Sequence, residues 1–134
     1  MTIGADRIAI ETRFLSEWDS SIPVVLENDP VQTMDKNAPW VRLVIRPGVS
    51  DPITIGSPQY IQRGRVFIQI MTPLAQGSKQ SSDLTDAFIA IFRGWRSSDH
   101  RLWFDGGAGT PITEPEKDWH TTVLSIGYMS HHTA

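Results

Sequence analysis

Six apolar residues, Leu84, Ala87, Phe88, Ile91, Phe92 and Trp95, recur at the spacing of one helix face. A stripe this apolar must be covered, so a helix over this stretch commits the chain to packing it on a sheet or another helix. Leu84, Phe88, Ile91 and Phe92 are the predicted core. Ser81, Ser82 and Asp83 offer N-cap side chains, and Gly94, preceded by Arg93, suits the first position past the helix.

The stretch before it, "GRVFIQIM", has Val66, Ile68 and Ile70 on one face and Phe67, Gln69 and Met71 on the other. Apolar residues on both faces predict a central strand. Strand, Gly77-Ser78-Lys79 and helix together have the layout of a phosphate-binding loop, whose pattern is G-x-x-x-x-G-K-[ST]. The first glycine of that pattern would fall at Thr72, and Gly77 is followed by Ser-Lys-Gln. Pro73 also removes a backbone N–H where phosphate needs one. No nucleotide site, and no other cofactor, is expected here.

Elsewhere, residues 4–19 read as an amphipathic helix with Ile8, Glu11, Leu15 and Trp18 on one stripe, flanked by Ala5, Thr12 and Phe14. "PVVLEN" reads as a short strand. In "WVRLVIRP", Val41, Leu43 and Ile45 alternate with Arg42 and Arg46, giving one apolar and one basic face. "DPITIG" reads as another short strand with Ile53 and Ile55 inward. "RLWF" and "DWHTTVLSIGYMS" complete the set. Pro and Gly gather at 47–58 and 105–115, predicting long loops at 47–58 and 105–117, the first able to project as a hairpin arm. The strands are not regularly separated by helices. The expected class is α+β, a mostly antiparallel or mixed sheet with both helices on one face.

A length of 134 residues fits one domain over 1–134. The net charge of −3 argues against a dedicated binder of duplex DNA. With no cysteine, disulfides and thiolate metal sites are excluded. "MTIGADRIAI" carries an acid and no long apolar run, so no signal peptide is expected, and no window approaches the ~20 apolar residues of a membrane span.

Few residues invite chemistry. His100, His120, His131 and His132 offer no three-ligand face, because adjacent strand residues point to opposite sides. Glu114, Glu116 and Asp118 form a short acidic run that reads as a solvated loop. No G-x-S-x-G elbow marks a nucleophilic serine. Arg42, Arg46, Arg63 and Arg65 stand out instead. They are either a solvated sheet face or an ion-pairing surface toward another subunit, where arginine's planar fork is favoured. Trp40, Trp103 and Trp119 lie near strand ends, where core and interface both accommodate tryptophan.

Several stretches occur together in order: "IETRFLSEW", "PVVLEN", "APWVRLVIRPGVSDPITIG", "GRVFIQIMTPLAQG", "DLTDAFIAIFRG" and "WHTTVLSIGY". This ordered set resembles the tail terminator proteins of long-tailed phages, over nearly the whole chain. The resemblance implies a sheet with two helices on one face and a structural role without catalysis. It implies hexameric rings on the head-proximal end of the tail tube, which stop tube growth and present a surface to the head connector or stopper. The expected partners are therefore other copies of this chain, the tube protein and the connector. DNA would pass through the ring lumen without being read, and no membrane is involved. The expected location is the neck of the virion tail, reached from the host cytoplasm during assembly. Candidate interface residues are Arg42, Arg46, Arg63, Arg65, Ser50, Asp51, Pro52, Gly106 and Gly107. Two alternatives stand beside this reading: another neck or minor tail protein, and a small ligand-binding or hydrolytic α+β domain.

Overall fold

The computed structural model describes residues 3–26, 38–56, 58–73, 78–108, 112–116 and 119–133. In chain order they form α1 (Ile3–Glu17), β1 (Val24–Val25), β2 (Trp40–Pro52), β3 (Gln59–Pro73), α2 (Ser78–Phe92), β4 (Leu102–Ala108), β5 (Ile112–Glu116) and β6 (Trp119–Thr133). The link before α2, at 74–77, lies outside the described residues. The strands make a mixed six-stranded sheet in the order β1-β2-β3-β6-β4, with β5 also on β6. Among the described strands, only the β1–β2 pair is parallel. The class is α+β, as expected.

Register fixes the two faces. Val41, Leu43 and Ile45 of β2 lie opposite Ile70, Ile68 and Val66 of β3. Ile68 and Val66 in turn face Leu124 and Ile126 of β6. These residues form the sheet half of one apolar cluster, completed by Ile10, Phe14 and Trp18 of α1 and by Leu84, Phe88, Ile91 and Phe92 of α2. Both helices thus cover the same sheet face. A run of aromatic rings ties the layers together: Trp18 stacks on Phe14 at 4.9 Å, Phe14 on Phe92 at 6.1 Å and Phe92 on Phe104 at 4.7 Å. Arg13 of α1 donates from Nε and Nη2 to the Ile91 carbonyl, at 3.1 and 3.0 Å. That carbonyl belongs to the last turn of α2, where helix carbonyls lack intrahelical donors. Gly94, with φ 67°, then turns the chain in a left-handed conformation that suits glycine.

Several details depart from the sequence reading. In α1, Ile8 and Leu15 point outward, 68% and 51% exposed, and the buried positions are Asp6, Ile10 and Phe14, followed by Trp18. Two overlapping stripes were available on this helix, and its packing against α2 selects the one carrying the aromatic rings. α2 begins at Ser78, so Ser81, Ser82 and Asp83 lie inside it and are not its N-cap. Ala87 is exposed, and Thr85 is buried in its place, its hydroxyl donating to the Ser81 carbonyl at 2.8 Å. "DPITIG" is no separate strand. Asp51 and Pro52 end β2, and Ile53 and Ile55 sit at the turn, 43% and 103% exposed.

Within the two Pro- and Gly-rich stretches, residues 47–52, 105–108 and 112–116 are strand. β2 and β3 continue past the body of the sheet as a two-stranded hairpin that closes where Ile53 N–H donates to the Gln59 carbonyl at 3.0 Å. A bulge between Pro47 and Ser50 interrupts its register. The buried Gln62 amide fastens this bulge by donating to the Gly48 and Arg63 carbonyls at 2.8 and 2.7 Å. β4 and β5 run antiparallel to β6 on the edge that β3 leaves open, Leu102 opposite Ser130 and Ile112 opposite Val123. They behave as one edge strand broken by a register shift. Its tolerance of Pro115 follows from edge position, since proline cannot donate to a ladder.

Candidate interface on the uncovered sheet face

Alternation places a second set of side chains opposite the helices. Across neighbouring strands, Arg42, Gln69 and Val123 form one row, Val44, Phe67 and Ser125 the next, and Arg46, Arg65 and Gly127 a third. Met129 follows, opposite Arg63 on one side and Trp103 on the other. Among the described residues, no helix lies on this face. The result is a half-buried apolar surface studded with arginine, on a chain whose net charge is −3.

All four candidate arginines therefore share one face, and Arg46 lies directly opposite Arg65. The guanidinium groups of Arg63 and Arg65 are held in place. Arg65 donates from Nε and Nη2 to Ser125 Oγ at 3.1 and 3.0 Å. Arg63 donates to the Met129 sulfur at 3.0 Å. A cavity of about 490 Å³ opens here, with Arg46, Arg63 and Arg65 at its rim, Phe67 and Met129 among its apolar lining, and Asp105 on the β4 side. Gly127 makes this approach possible. A Cβ there would lie 2.6 Å from Asp105 Oδ2 and 3.4 Å from Arg65 Nη1.

The other candidates occupy other parts of the chain. Ser50, Asp51 and Pro52 are exposed at the end of the hairpin, beyond the bulge. Gly106 and Gly107 have their backbones in β4, at its register shift against β6. Trp40 and Trp119 meet edge to face at 6.2 Å at the far end of the same sheet face. The Trp40 indole N–H is buried and finds no acceptor among the described residues.

The histidines divide as their strand positions require. His131 is opposite Ile61 and His132 opposite Tyr60, so they point to opposite faces. His100 has a φ of 60° in the turn before β4, where the Asp99 carboxylate accepts from the Ser97 hydroxyl at 2.6 Å and the Arg101 N–H at 3.1 Å. Those bonds hold Asp99 below the usual aspartate range. Among the described residues, no three His, Asp or Glu side chains gather as metal ligands, and no helix is long and apolar enough to cross a membrane.

One polar cluster escaped the sequence reading. Asp6 of α1 is buried against the end of β6, where the Ser130 hydroxyl donates to Oδ1 at 2.6 Å and His132 Nε2 lies 3.2 Å from Oδ2. This is no hydrolytic triad. The serine is bonded to the acid and not to the imidazole, so nothing there would take its proton as a base. The available signal was the four-residue spacing of Asp6, Ile10, Phe14 and Trp18, which puts an acid on an otherwise apolar stripe.

Comparison with known proteins agrees with this fold. A solved structure 20% identical in sequence superposes with a TM-score of 0.68, over 100% of this chain and 99% of that one, and so shares the fold. No curated protein matches the sequence. The family described as phage tail terminator protein matches residues 7–128, nearly the whole chain. Because that match spans most of the chain, the chain belongs to the phage tail terminator family and is a phage tail protein.

Proposed function

We propose that this protein closes into a ring, six copies around, on the head-proximal end of the tail tube. There it ends tube polymerisation and offers the docking surface for the head connector. The observation that carries this reading is family membership over residues 7–128. Two structural features support it. The sheet presents a large apolar and basic face that its own helices leave uncovered, and a hairpin extends beyond the sheet with exposed apolar residues at its end. A plug and a receptive face at different places on one chain suit a head-to-tail contact, which closes into a ring when the rotation per subunit divides the circle. A ring with two unlike faces hides the growing end of the tube and offers no copy of it. No catalytic role or cofactor is assigned, DNA passes through the lumen without being read, and assembly takes place in the host cytoplasm before the ring joins the virion neck.

The test is a phage lacking this chain. It should make filled heads and unjoined tails, many longer than wild type. Joined virions with tails of normal length would rule the terminator role out. Deleting residues 50–56 should block capping while the rest of the fold persists.

A further inference from the structure

The uncovered face and the hairpin end complement each other. The cavity rimmed by Arg46, Arg63 and Arg65 is lined by Phe67 and Met129, and its 490 Å³ lies within the range of roughly 300–1,000 Å³ typical of sites that bury a compact apolar group. The hairpin end carries exposed Ile53 and Ile55 and, just before them, the exposed acid Asp51. Val49, Ile53 and Ile55, 62%, 43% and 103% exposed, gather apolar surface at this one end of the hairpin. The chemistry of plug and socket matches twice, apolar to apolar and acid to base.

The plug cannot reach the socket on its own chain. Both belong to the same paired strands, in which Asp51 is held in the ladder opposite Ile61 and the turn begins five residues beyond the cavity on each. At strand rise that is roughly 17 Å, along a ladder that would have to break to fold back. The occupant must then come from another molecule. We propose that the hairpin end of one copy, through Ile53, Ile55 and Asp51, seats in the Arg46–Arg63–Arg65 cavity of the next. The contact rests on the ring reading only for its closure, since each copy has one plug and one socket whether the chain of contacts closes or not. The buried Gln62 amide, which fastens the bulge at the hairpin's base, sets the direction in which the plug leaves the sheet.

The absence of cysteine makes a clean test possible. Ile55→Cys protein is mixed with Met129→Cys protein and oxidised, free and on isolated tail tubes. A disulfide-linked heterodimer should form in yield well above that from Ile55→Cys mixed with Ile8→Cys, a control on the outer side of α1. Equal yields would overturn the proposal. Adding Arg63→Glu and Arg65→Glu to the Met129→Cys chain should lower the yield roughly tenfold, because rim charges guide docking. An unchanged yield, with loss of duplex oligonucleotide binding by the reversed chain, would assign the cavity to nucleic acid and refute the contact. The chain carrying both cysteines should give a ladder that ends in one closed species. A ladder without closure keeps the contact and sinks the ring. Capped tubes without the Ile55–Met129 link keep the ring and sink the contact.

Discussion

The Ser130 hydroxyl and the Asp6 carboxylate, 124 residues apart in sequence, meet at 2.6 Å in the protein interior. This bond, with His132 on the other carboxylate oxygen, anchors the start of α1 to the end of β6. Asp6→Ala should cost about 2–4 kcal/mol, because it leaves Ser130 buried without its acceptor and removes a bond to a charged group. Asp6→Asn should cost less, since an amide oxygen still accepts. Urea unfolding of the three proteins measures both. An Asp6→Ala midpoint equal to wild type would mean that the cluster contributes nothing.

Alkaline stability should report on Tyr128. Burial pushes its phenol up to about 12, with the charge of Asp6 adding to the effect and Arg7 opposing it. The folded state thus holds the phenolic proton more tightly than the unfolded chain, whose group titrates near 10. Stability is unaffected by this group below that value and falls as pH rises from about 10 to about 12. Tyr128→Phe should flatten that part of the profile while leaving other alkaline losses in place. Denaturant midpoints across this pH range, with and without the hydroxyl, decide it.

Gly64 is required by the same ring. A Cβ at Gly64 would lie 2.5 Å from two side-chain atoms of Tyr128, the ring carbon Cζ and the phenolic oxygen. Gly64→Ala should therefore destabilise by about 1–3 kcal/mol through overpacking. The cost should shrink in a Tyr128→Leu background, where the obstructing atoms are gone. A double-mutant cycle showing strict additivity would contradict a direct clash.

Arg42 and Arg46 should matter to assembly more than to folding. Both lie on the sheet face without helices, and Arg46 sits opposite Arg65. Arg42→Glu with Arg46→Glu should leave circular dichroism and thermal melting nearly unchanged while abolishing capping of tail tubes in electron micrographs. Retained capping would make these arginines solvating groups only.

Much of the architecture was legible in the chain itself. The Leu84–Phe92 stripe and the alternation of β2 and β3 set element type, because a helix or strand must show its period to bury one side. Arg42 and Arg46 could be placed on one strand face, but that Arg63 and Arg65 share it follows from the β2–β3–β6 register. Local pattern also failed in α1, where Ile8 and Leu15 compete with Ile10 and Phe14 and only contact with α2 separates them. Composition foretold a projecting hairpin arm at 47–58 but not that 47–52, 105–108 and 112–116 are strand. Proline and glycine usually break elements, yet they are tolerated on edge strands and bulges, and edge position is a property of the assembled sheet. The Asp6–Ser130–His132 cluster left only an acid on an apolar stripe as its trace, because its partners come from the other end of the chain. Sequence determined which residues needed burial or water, and the tertiary structure alone decided which of them met, because strand order and register bring together positions that no local period relates.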